Sequence, residues 1–355
     1  MELISKAVAT KGNIGYASDF ERNGLFKINL ETYECEYLHS FPDENINVTG
    51  LHCCAKWVEN KIYFIPTAGK NIAVYDVESD EIKTIQIPDA NRKYKSGMKF
   101  ISAVEYSDSL WIIPATYPGV LKLNMTTGEL TIINQWVGDD DYMFRRGIVV
   151  KDNFFYAANG TDNIVLVFDM SREEGRIQHV GTNNHGTQDM CEFEGFLVLA
   201  PRECGAIVKW NPEKNVICEF CDYPEGFSPQ KIVFTDVYAY ESELIFVPSN
   251  SNCGIRLAGE KIIMESEIQW KYKDDNKIEF MFETNEKIYF REIHKDLNST
   301  CFFVERQNNN LTECRFTIIN SQTYKDYILK SSIEANEVLK ESMFIGLDDW
   351  LKTIF

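Results

Sequence analysis

The sequence predicts an all-β fold made of seven copies of one four-stranded antiparallel unit, followed by a short helical extension. Three observations predict it. A strand-forming phrase recurs, as Lys61-Ile-Tyr-Phe-Ile-Pro66, Ser109-Leu-Trp-Ile-Ile-Pro114 and Glu243-Leu-Ile-Phe-Val-Pro248. Aligned on the residue after the preceding turn, its copies stand at Ile14, Ile62, Leu110, Phe154, Phe196, Leu244 and Ile288, which by subtraction gives intervals of 48, 48, 44, 42, 48 and 44 residues. The residues around each copy read as short strands parted by turn residues, with little sustained helical periodicity.

The third unit shows the pattern most fully. Phe100-Ile-Ser-Ala-Val-Glu-Tyr106 is a first strand, Leu110 to Pro114 a second, Val120-Leu-Lys-Leu-Asn124 a third and Leu130-Thr-Ile-Ile133 a fourth, with turns at Ser107–Ser109 and Thr126–Gly128. These are strands A to D of a meander. An Asn or Asp ends strand C in register, at Asn29, Asp76, Asn124, Asp169 and Asn211. Such short side chains can bond the backbone amides just ahead and so begin the C-to-D turn. Repetition in successive units marks them as turn residues rather than metal ligands or catalytic carboxylates.

The period and the meander together resemble a seven-bladed β-propeller, broadly similar in organisation to kelch and WD-repeat proteins, over about residues 1–320. The domain boundaries that follow are 1–322 for the propeller and 323–355 for the extension. Neither the Gly-Gly pair of kelch blades nor the Gly-His and Trp-Asp signatures of WD40 blades stands in register, so no family's functional residues carry over. Leu257-Ala-Gly and Val304-Glu-Arg replace the Asn/Asp in units six and seven. Six blades with an irregular closing element is therefore the alternative count. The recurring phrase becomes strand B, apolar because each blade packs between two neighbours. Trp57, Tyr63, Phe64 and Trp111 are then core residues.

The tail changes period. Ile333, Val338, Leu339, Met343, Leu347, Trp350 and Leu351 fall at helical spacing with a break at Gly346, which predicts two short amphipathic helices. Their apolar stripe either lies against the propeller or docks a partner.

Charge narrows the function. With 54 acidic against 36 basic residues the net charge is −18, which repels nucleic-acid backbones and anionic membrane surfaces. No stretch approaches the roughly 20 apolar residues that span a bilayer. The opening residues lack the apolar core of a leader, so a cytoplasmic location is expected, with the ten cysteines reduced. Cys218 and Cys221 lack a second pair for zinc, and the adjacent Cys53 and Cys54 are expected on opposite faces of one strand. No phosphate loop, zinc helix or nucleophile elbow is present, and neither metal nor cofactor is expected.

In a propeller the D-to-A connections and the B-to-C loops surround one mouth of the central channel. The D-to-A segments carry His52, Lys99, Arg145-Arg146, His185 with Gln188-Asp189, and Gln230-Lys231. The B-to-C loops add Asp19, Tyr117, Asn159 and Arg202. This gives a locally basic mouth in an acidic body. Lys99, Tyr117, Arg145, Arg146, Asn159, Gln188, Asp189, Arg202 and Lys231 are the candidate ligand-binding residues, suited to a small anionic or saccharide-like ligand, with a protein partner as the other class. Pairing of the arginines with Asp139–Asp141 or Glu203 would instead only tie loops together. An enzymatic alternative is a lyase or hydrolase using His52 and His185 as proton-transfer groups on an anionic sugar. The third reading is a structural interaction scaffold.

Overall fold

The computed structural model describes all residues except 47, 91, 92, 139, 140, 183, 184, 230, 231, 266–276, 295–298 and 340–355, and the side chains of 96 and 333–339. Seven antiparallel sheets stand around an axis as a seven-bladed β-propeller, which decides against six blades. In each sheet four consecutive strands are neighbours in chain order, A innermost at the channel and D at the rim. Strand B falls at Ile14–Ser18, Lys61–Pro66, Ser109–Pro114, Phe154–Asn159, Phe196–Pro201, Glu243–Pro248 and Lys287–Ile293.

Alternation along strand B explains its uniformly apolar character. In blade four, Phe155 and Ala157 pack on Trp111 and Ile113 of blade three, whereas Tyr156 and Ala158 pack on Leu197 and Leu199 of blade five. Both faces are interior, so period-2 polarity is lost while period-2 direction remains. Truncating a side chain such as the fully buried Phe155 to Ala would cost about 3–5 kcal/mol.

The turns behave as their residue types require. Asn29, Asp76, Asn124, Asp169 and Asn211 each accept, through one side-chain oxygen, the N–H groups two and three residues ahead. Blades six and seven turn differently. Gly259 at φ +60° makes the turn of blade six, and in blade seven Asn309 at φ 58° donates its N–H to Glu305 O at 2.8 Å.

Blade one is complete in Ala7–His39 and blade seven in Lys277–Cys314, so no blade is shared between the two ends. Closure comes afterwards. Thr317–Ile318 adds a parallel fifth strand to the outer edge of Glu34–His39, the Leu3 N–H donates to Phe316 O at 3.0 Å, and the Ile318 N–H donates to Met1 O at 3.0 Å. A helix, Ser321–Leu339, follows, beginning two residues ahead of the expected boundary at 323. Tyr324 and Ile328 bury its first turns beside Phe26 and Tyr37 of blade one. Tyr324 also donates its hydroxyl to Asp19 Oδ2 at 2.7 Å. Burial pushes the Asp19 carboxyl up to about 6, against the pull of the Glu21 N–H and the Tyr324 hydroxyl. The expected second helix and its break at Gly346 lie outside the described residues.

Candidate functional site

Strand A does not pair evenly with strand B. Between His52 and Cys54, Phe100 and Ser102, Thr187 and Asp189, Phe234 and Asp236, and Phe280 and Phe282, one residue is inserted without a partner opposite. Blade four carries a larger insertion: Phe144 faces Asn159 and Ile148 faces Ala157, so Arg145, Arg146 and Gly147 stand opposite Ala158 alone. A bulge turns its extra side chain out of the regular alternation. Here Cys53, Ile101, Arg145, Arg146, Gln188, Thr235 and Met281 all line one cavity in the channel, of about 380 Å³. That volume suits a small ligand.

The bulge also corrects an expectation. Cys53 and Cys54 do not part to opposite faces; both pack against the same core cluster, and the Cys53 thiol donates to Ile65 O at 3.4 Å. A regular strand would separate them, and the inserted residue removes that separation.

Arg145 and Arg202 form the cationic side of the cavity. The Arg145 side chain lies over Gly160, where any Cβ would overlap it, and Arg202 Nη1 donates to Gly160 O at 2.9 Å. Arg145 Nη2 lies 3.1 Å from Met143 Sδ. No carboxylate pairs with either guanidinium among the described residues, and the Nε of each is buried without a hydrogen-bond partner. Burial, with Arg202 alongside, lowers the Arg145 guanidinium to about 10, so it stays charged at neutral pH.

Arg146 is wired quite differently. Its Nη2 donates to Asp189 Oδ2 at 3.0 Å and to Asp236 Oδ1, and its Cζ sits 3.3 Å from the centre of the Phe280 ring. The side chain thus reaches from blade four to blades five, six and seven. Burial alone would lower its guanidinium, but Asp189 and Asp236 outweigh that and hold it above its ordinary value. Asp189 is pushed well above the usual carboxylate range by burial, with Asp236 adding to the rise and Arg146 opposing it. Gly147 completes the bulge, since a Cβ there would overlap the Met190 amide of blade five.

Across the ring, blades seven and one gather a second set of cations on one carboxylate. Glu279 accepts from Lys277 Nζ at 2.6 Å, Lys6 Nζ at 3.2 Å and Arg291 Nη2 at 3.3 Å. Burial would raise the Glu279 carboxyl, yet Lys6 and Lys277 hold it down to about 2. Lys6, Lys277 and Glu279 all line the same cavity as Arg145 and Arg202.

The remaining candidates separate. Gln188 lines the cavity, as do the three arginines. Asp189 stands behind it as the partner of Arg146, and also accepts the Val237 N–H at 2.9 Å. Lys99 turns away, donating to Gly69 O at 2.9 Å and Ala68 O at 3.3 Å. Asn159 is fully buried, accepting the Met143 N–H and donating to Asp162 Oδ1. Tyr117 donates to Pro88 O at 2.8 Å and lines a separate cleft with Tyr94, Trp136 and Tyr142. Lys231 lies outside the described residues, as do Asp139 and Asp140.

The two histidines do not meet. His52 is buried in the cavity wall, its Nδ1 2.8 Å from Ser18 Oγ and its Nε2 without a partner, and burial drives its imidazole down to about 3. His185 is exposed, 3.6 Å from Glu203, and does not line the cavity. His185 stands in the loop ahead of strand Thr187–Phe193, outside the bulge that aims Gln188 inward. Among the described residues no three of His, Cys, Asp and Glu are grouped as a metal site would need.

Sequence reasoning missed Cys53, Ile101, Thr235 and the whole Lys6–Lys277–Glu279 group. A signal for the first three exists. The residue paired with the end of strand B lies 14 positions ahead of Pro66, Pro114, Pro201 and Pro248, and the inserted residue follows it. Nothing comparable marks Lys6 or Lys277.

No protein-family model and no curated protein matches the chain. Solved structures do. The computationally designed Ika8 protein is similar with a TM-score of 0.58 at 10% identity, over 88% of this chain and 87% of that one. A chain in the Mitotic Checkpoint Complex is similar with a TM-score of 0.56 at 10% identity, over 89% of each. PorZ of Porphyromonas gingivalis, a surface component of the type-IX secretion system, gives a TM-score of 0.53 at 8% identity, and the 90% of this chain that matches covers only 39% of PorZ. At such identities the likeness is one of fold alone.

Proposed function

We propose that this propeller is a binding protein for a small anionic ligand held in the channel cavity by Arg145 and Arg202. One observation carries the reading: two adjacent guanidinium groups, each with a buried Nε that has no partner, face a cavity of about 380 Å³. A buried donor left unmade costs about 1–3 kcal/mol, more when charged, and a carboxylate or phosphate in the cavity would supply the counter-charge that both guanidinium groups lack. Gln188 and Thr235 stand beside them to receive hydroxyl groups.

Proton abstraction by a histidine pair finds no support in this geometry. A His52 imidazole driven down to about 3 is a poor base near neutral pH, and His185 is elsewhere. The binding reading is tested by thermal denaturation with inorganic phosphate, sulfate, acetate and glucuronate. A bound anion at 100 times its dissociation constant contributes about 2.7 kcal/mol, which raises Tm by about 4 °C in a chain of this size. Arg145→Met and Arg202→Met should each abolish the shift. No shift with any of the four anions would refute the reading.

A further inference from the structure

The cavity has two positive poles. At one stand Arg145 of blade four and Arg202 of blade five, with no carboxylate paired to either among the described residues. At the other, Lys6, Lys277 and Arg291 share Glu279, so three cations meet one anion and leave an excess of two positive charges. In a ring of seven, blade four lies opposite the junction of blades seven and one, three steps away in either direction.

What lies between the poles is not cationic. Arg146 reaches into the interval, but its charge is spent on Asp189 and Asp236. Met98, Phe100 and Ile101 make one flank of the interval apolar, and Phe280 and Met281 continue it near blade seven. Like charges placed on opposite walls repel, and a counter-charge at each wall offsets that cost.

We propose that the ligand of this cavity is two-headed, a short molecule carrying a carboxylate or phosphate at each end, with one head between Arg145 and Arg202 and the other on Lys6 and Lys277. The inference rests on the anion-binding reading above and adds the ligand's class. Its aliphatic middle would lie along Met98 and Ile101 on the apolar flank of the cavity. Once the first head is seated, the second meets its pole at the effective concentration of a short tether, which multiplies affinity without any new kind of contact. Both lysines are positioned to exchange part of their bond to Glu279 for the ligand, because Arg291 keeps that carboxylate paired.

Isothermal titration of the full chain separates the possibilities, using glutarate and adipate against butyrate, and 1,4-butanediol bisphosphate against butyl phosphate. The two-headed member of at least one series should bind about 30-fold tighter than its one-headed counterpart. Which series does so distinguishes carboxylate from phosphate heads. Lys6→Met/Lys277→Met should bring the two-headed anion down to the affinity of the one-headed anion, with a much smaller loss for the latter. Should the double variant fold poorly, Lys277→Met alone keeps Glu279 paired with Lys6 and Arg291 and should still cost the two-headed anion several-fold. Equal affinity of one-headed and two-headed anions, or equal losses for both in the lysine variants, overturns the two-headed ligand while leaving anion binding intact. Absence of binding by every anion overturns both.

Discussion

Arg145 and Arg146 are neighbours in one bulge and line one cavity, yet they do opposite things. Arg146 has two carboxylates and an aromatic face, and ties four blades together across the channel. Arg145 has a thioether, a glycine backbone beneath it and a second guanidinium beside it. The difference shows what separates a structural charge from a recognition charge. The first is neutralised by the protein itself, and the second is dehydrated but left unmatched, which destabilises the empty protein slightly and rewards a ligand that completes it.

The contrast can be broken most sharply at Arg146. Arg146→Met strands Asp189 and Asp236, whose side chains are about 5% and 6% exposed, and should cost about 3–5 kcal/mol in urea unfolding. Adding Asp189→Asn and Asp236→Asn to that variant should restore most of the loss, since no buried charge then remains unpaired. A milder loss in the single variant than in the triple would mean that the triad is not a charge lock.

Asp19 extends the comparison to a buried carboxylate whose partners are neutral donors. With its native value raised to about 6, the folded protein keeps a proton that the unfolded chain releases near pH 4. Its contribution to stability is complete below pH about 4 and lost as pH rises through about 6, a change of about 3 kcal/mol. His52 acts with the opposite sign in an overlapping window, because its lowered value costs stability as pH falls. The observable is therefore the difference between Asp19→Asn and the parent chain, measured by denaturant unfolding from pH 4 to 7. That difference should move in favour of the variant as pH rises, and a flat difference would place the Asp19 carboxylate in a better-solvated site than the structure shows.

The smallest effect on stability is expected at Arg145. Arg145→Met relieves repulsion from Arg202 and should leave the fold unchanged or more stable by up to about 1 kcal/mol, while anion-induced stabilisation disappears. A large destabilisation would make Arg145 a second structural arginine and remove the contrast.

Much of the fold was legible because its causes are local. Strand B announces itself as an apolar run, and the strand-C residues Asn29, Asp76, Asn124, Asp169 and Asn211 form the turns that their side chains favour. Less of the site was legible. Arg145, Arg146, Gln188 and Arg202 do reach the cavity, but Lys99, Asn159 and Tyr117 are taken up by backbone and side-chain partners in the loops. A bulge of one residue decides which side chain of strand A faces the channel, and period-2 reasoning places that side chain on the wrong face.

By itself, then, the sequence determined the repeating blade, its strand order and its turns, since these follow from side-chain alternation and short-range hydrogen bonding within about 45 residues. Only the tertiary structure decided which charges find partners. Lys6 meets Glu279 across 273 residues of chain because ring closure sets blade one beside blade seven, and Arg146 meets Asp236 across 90 because both stand on the innermost strands of their blades. Coulomb pairing depends on distance in space, and no local pattern along the chain encodes that distance.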